Sequence, residues 1–115
     1  MSAWIEIRDL AGTTGPEAAP AAGAYEEISG NVIDAVDLMF PDFTATGEVK
    51  LQFYAEVDEQ RFPIGGPWTI PDGEAAGSRY LSVNDSEHLT FKLAVVVLAG
   101  TVTTGTLHAR PIIGR

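Results

Sequence analysis

Ten consecutive residues, 49–58, alternate without interruption between apolar and polar side chains. Val49, Leu51, Phe53, Ala55 and Val57 take one parity; Lys50, Gln52, Tyr54, Glu56 and Asp58 take the other. A helix would scatter both sets around its circumference, whereas a strand of period two sorts them onto opposite faces. The segment is a β-strand with one buried face, and it commits the chain to a sheet. Asp58 and Glu59 then form a tight connection into a returning strand at 61–64. Pro63 has no N–H to give a ladder, so that strand is an edge or ends early.

The remaining segments follow the same logic. Residues 4–10 read as a first strand, with Ile5 and Ile7 on one side and Glu6 and Arg8 on the other. Residues 11–24, rich in Ala, Gly, Pro and Thr, offer too few apolar anchors for a core element and read as an exposed loop. Residues 25–28 suit a short strand. Residues 31–40 fit either a helical face or an extended one, and the β character of their neighbours favours a strand that Pro41 ends. Residues 65–73 read as two turns around a short extended piece, residues 79–83 as a strand, and residues 84–87 as a turn. In the strand at 89–98 the first half has a polar outer face, while Val96 and Leu98 make the second half apolar on both sides. Ala99-Gly100 suggests a close turn into a last strand at 101–113. Parity breaks there, since Val102 is even while Leu107 and Ala109 are odd. A β-bulge at Gly105 would restore one inward face.

A chain of 115 residues is one domain by size and can bury a core without staples. It has no cysteine, which removes disulfides, thiolate metal sites and a cysteine nucleophile, and suggests an intracellular folding environment. Short strands separated by Gly/Pro turns give an all-β, antiparallel β-sandwich of jelly-roll or immunoglobulin-like type. The formal charge is −9, from 16 acidic and 7 basic residues, and the basic ones are scattered singly. Such a surface repels phosphate backbones, so no nucleic-acid partner is expected. The N-terminus lacks a signal-peptide pattern and the apolar run at 93–99 is too short for a bilayer, so a soluble chain without a membrane partner is expected.

Few residues suggest chemistry. His88 and His108 have no ligand-spaced partners, so no metal or other cofactor is expected. Glu56 and Asp58 share a strand face roughly 7 Å apart, by strand rise, beside Lys50, where they read as solvated charge rather than a glycosidase pair. Two acidic runs, Asp34/Asp37/Asp42 and residues 84–87, match no EF-hand loop and serve turn geometry instead. The sequence therefore points to binding or assembly rather than catalysis. Trp4, Tyr54, Trp68 and Tyr80 are candidate sugar-stacking aromatics, although Trp68 equally suits capping the core.

Arg79-Tyr80-Leu81, the run 89–93 and the stretch 100–110 (GTVTTGTLHAR) together resemble the closing hairpin of small tailed-phage structural proteins, most of all capsid decoration (cement) proteins. The resemblance covers the last third of the chain. It implies a non-enzymatic virion protein that forms a dimer or trimer, assembles in a bacterial cytoplasm and binds the major capsid protein or another virion protein. On that reading Val96 and Leu98 belong to a subunit interface, with Trp68 and Tyr54 as further interface residues. The alternative for Val96 and Leu98 is cover by a second sheet or by residues 11–24. Competing functions are a carbohydrate- or ligand-binding sandwich using Trp68, Tyr54 and Tyr80, and a cupin-type barrel enzyme, which lacks the clustered histidines.

Overall fold

In the computed structural model, which describes residues 4–29, 32–82 and 90–114, the chain is all-β and antiparallel. The strands are β1 (Ile5–Asp9), β2 (Thr13–Thr14), β3 (Glu26–Ser29), β4 (Val32–Met39), β5 (Phe43–Val57), β6 (Gln60–Ile70), β7 (Ser78–Ser82) and β8 (Thr90–Gly114), with one short 3₁₀ turn at Ala22–Ala24. They join in the order β6-β5-β8-β4-β7, and β1, β2 and β3 line β8 as well. The two end strands approach each other: Gly65 of β6 faces the Leu81 side chain of β7, and Arg79 Nη1 donates to the Pro67 carbonyl at 3.3 Å. The sheet thus curls almost into a barrel around Leu38, Val49, Leu51, Phe53, Leu93, Val95, Val97, Val102 and Leu107.

The alternating strand behaves as its pattern dictates. Val49, Leu51, Phe53 and Ala55 are buried, and Lys50 and Asp58 are exposed. Asp58 and Glu59 make a two-residue turn between the paired residues Val57 and Gln60, with φ of 51° and 67°. Positive φ at both central positions is the hairpin turn whose twist matches the strands, and it favours Asn-Gly. A glutamate there carries the left-handed cost of a side chain with a Cβ. Glu59→Gly is expected to raise stability by about 0.5–1 kcal/mol, after its own unfolded-state entropy is counted. A higher urea midpoint at constant slope measures it.

Pro63 does lie on an edge strand, since among the described residues β6 pairs with β5 alone. That strand does not stop at residue 64. It continues to Ile70 through a register shift in which residues 65–67 have no partner on β5, and the Gln52 amide donates to the carbonyls of Ile64 (3.3 Å) and Gly65 (3.1 Å). The expected pair of turns at 65–73 is therefore a bulged strand followed by one turn. Residues 31–40 form the expected strand over Val32–Met39, where Ala35 and Val36 are both buried because the register shifts beside them.

Two expectations at the C-terminus need correction. Ala99-Gly100 is not a turn: β8 runs unbroken through it, and β5 stays alongside, pairing residues 50–56 with 92–99 and residues 43–46 with 101–105. A strand held by the same neighbour on both sides of a kink cannot reverse. The parity break is resolved by shifts at Leu98 and at Thr103, not at Gly105. Gly105 faces inward, where an added Cβ would lie 3.0 Å from the Phe43 ring.

Residues 5–29 form one antiparallel edging along β8. Ile5 pairs with Ala109, Thr14 with Thr101 and Ser29 with Thr90. The span 11–24 is thus not wholly a loop. Gly12 N donates to Val102 O and Gly15 N to Gly100 O, and Glu17 N donates to Val97 O, all within 2.8–2.9 Å. Residues 18, 19 and 21–24 are exposed, and Pro20, which breaks that run, is partly covered.

Candidate binding surface

Between the pairings of β2 and β3 with β8, two side chains complete the ladder. The Glu17 carboxylate accepts the Val97 N–H at 2.8 Å, and Arg8 Nη1 donates to the Val95 carbonyl at 3.0 Å. The same two groups form a bidentate ion pair at 2.9 and 2.8 Å. The Arg8 hydrogen bond pulls the Glu17 carboxyl below its ordinary value against the opposing effect of burial, and the Val97 N–H adds to the pull. Val96 sits between these bonded residues and is 3% exposed.

The other expected interface residues are covered to different degrees. Trp68 is buried, with its ring centroid 5.6 Å from Phe40 and 6.4 Å from Phe53, so it caps the core. Tyr54 and Leu98 are half-buried. None of the four presents a freely exposed side chain. Glu56, read from sequence as solvated, is nearly buried between Arg61 and Lys92, its cross-strand partners on β6 and β8. Two opposite charges on neighbouring strands hold it there, which sequence spacing alone does not reveal.

His108 Nδ1 lies 3.1 Å from the Thr106 carbonyl, to which it donates. His88 and residues 84–87 lie outside the described residues. Among the described residues, no three His, Asp or Glu side chains cluster as a metal site would require. A shallow depression of about 280 Å³ between the start of β5 and the 71–75 turn, lined by Phe43, Thr44, Pro71 and Glu74, brings together one carboxylate and one hydroxyl.

Exposed chemistry concentrates instead on the outer face of β1, β8, β4 and β7. Register aligns one row straight across these strands. Tyr80 pairs with Asp37, Asp37 with Arg110, and Trp4 precedes Ile5, which pairs with Ala109. Arg110 Nη2 donates to Asp37 Oδ2 at 3.0 Å, and its guanidinium carbon lies 4.5 Å from the Trp4 ring centroid. Tyr80 is 60% exposed. The next row along is Glu6, His108, Met39 and Ser78. Set against protein-family models, curated proteins and solved structures, the chain matches none.

Proposed function

We propose that the chain is a non-enzymatic structural protein of a phage particle, which binds and stabilises the capsid surface as an oligomer. One observation carries the reading: apart from Leu89, which lies outside the described residues, the residues that resemble decoration proteins fall on β7 and β8, and β8 is the spine of the fold. β8, 25 residues long, is flanked on one side by β5 and then β4, and on the other, as far as Ala109, by β3, β2 and β1. Where strand pairing lapses, Arg8 and Glu17 supply the missing bonds. A strand paired along both edges is closed to stray edge-to-edge association, and it opens only with its neighbours. That suits a part whose work is mechanical reinforcement. The acidic charge favours a basic patch on the receiving shell.

The test is occupancy. Particles purified on a density gradient from a culture carrying the gene should contain the chain in fixed ratio to the shell protein. Shells stripped of it should rupture at lower temperature, and adding the chain back should restore them. Its absence from purified particles would refute the proposal.

A further inference from the structure

We infer that the outer face of β1, β8, β4 and β7 is a binding site for a short, neutral oligosaccharide lying along the row Trp4, Arg110, Asp37 and Tyr80. The two aromatic residues stand at the ends of the row, three strand spacings or about 14 Å apart. Between them lies an ion pair that offers both donors and acceptors at its margins. Sugars present apolar C–H faces and hydroxyl edges, so rings that stack, separated by groups that hydrogen-bond, match that alternation.

Charge argues for a neutral ligand. Arg110, the cation of the row, is already neutralised by Asp37, Glu6 stands in the adjacent row, and the whole chain carries −9. An acidic glycan or a phosphate would be repelled. A protein partner fits less well: the buried centre of a protein interface is depleted of aspartate, whereas here Asp37 stands at the centre of the row. The pair is also held in place before any ligand arrives, because Arg110 is fixed from one side by Asp37 and from the other by the Trp4 ring. Little side-chain entropy remains to be lost on binding.

The site includes its own reporter. Trp4 is one of two tryptophans, and the other, Trp68, is buried in the core. The chain should be screened on immobilised neutral oligosaccharides of hexoses and N-acetylhexosamines, with sialylated and sulfated glycans alongside, and hits titrated by intrinsic fluorescence. The expected result is saturable binding of a neutral glycan that added salt leaves unchanged. Tyr80→Ala should weaken it about tenfold, the loss of one stacking partner. Tyr80 is mostly exposed, so that variant should fold normally, and Phe62→Ala, at an exposed aromatic on β6, should bind as the unaltered chain does. Any of four results overturns the inference: no neutral glycan bound, binding confined to acidic glycans and lost in salt, binding indifferent to Tyr80→Ala, or a protein ligand on this face with no sugar bound. The screen uses the isolated chain, so its outcome is independent of whether the chain is found in particles.

Discussion

Replacing Gly100 with alanine is expected to destabilise the chain by about 3 kcal/mol or more, the sum of a left-handed backbone penalty and an overpacked site. Gly100 has φ of +84°, and a Cβ there would meet the Glu48 carbonyl oxygen at 2.3 Å. The obstructing atom belongs to the backbone of β5, so no rotamer change relieves it. The two strands touch at this point because each takes up extra residues there. β5 gains length between Thr46 and Lys50, and β8 gains it at Leu98. The result is the corner around which the sheet curls, and separating the strands would undo the pairing on both sides. Gly47 supplies the control: its φ is +79°, but nothing lies within 4 Å of its added Cβ. Gly47→Ala should therefore cost only the backbone part, about 1–2 kcal/mol. Urea unfolding of both variants separates the two contributions. Equal midpoints would mean that the close approach at Gly100 carries no weight. Folded domains hold only about 5–15 kcal/mol in total, so the larger loss should also be visible as poor expression.

That corner also shows where sequence reading reaches its limit. The alternation at 49–58 is a local signal with a local cause, and it survives in the fold through Ala55, although Glu56 on the polar face is buried between Arg61 and Lys92. So does Pro63 as an edge residue, because a missing N–H excludes a central strand wherever the chain goes. Ala99-Gly100 is different. A glycine at positive φ serves a hairpin turn and a kinked strand equally well, and the choice rests with β5, some fifty residues earlier. Val96 is a similar case. An apolar residue on the outward parity reads as an interface, yet the folded chain leaves it 3% exposed, between Val95 and Val97, whose backbones bond to Arg8 and Glu17 from the far end of the chain. The row from Trp4 to Tyr80 is the extreme instance. All four residues are visible in the sequence, but nothing aligns them until the order β1-β8-β4-β7 is known. Local chemistry specified the elements; their neighbours determined which faces stay open.

Glu17→Ala is expected to cost about 2–3 kcal/mol, since it strands a backbone donor and a guanidinium that both lose a charged partner. The Val97 N–H should exchange with solvent markedly faster than the amides of β5, which keep their pairing. Elastase, which cuts after small residues, should cleave within residues 18–24 faster than in the unaltered chain. Glu17→Gln separates charge from shape. Its amide oxygen still accepts from Val97, but it no longer neutralises Arg8, so an intermediate loss is expected. Acid completes the argument. The folded state holds the Glu17 carboxyl below its ordinary value of 4.5, chiefly through the Arg8 hydrogen bond. The folded chain therefore binds a proton there less readily than the unfolded one. The resulting stability is fully present above pH 4.5 and is lost as pH falls through the folded value. The glutamine variant has no such proton to gain. Its stability should fall less steeply below pH 4.5 than that of the unaltered chain, so the two curves converge in acid. Parallel curves would show that the clamp contributes by shape alone and that the ion pair with Arg8 adds nothing to the hold on β8.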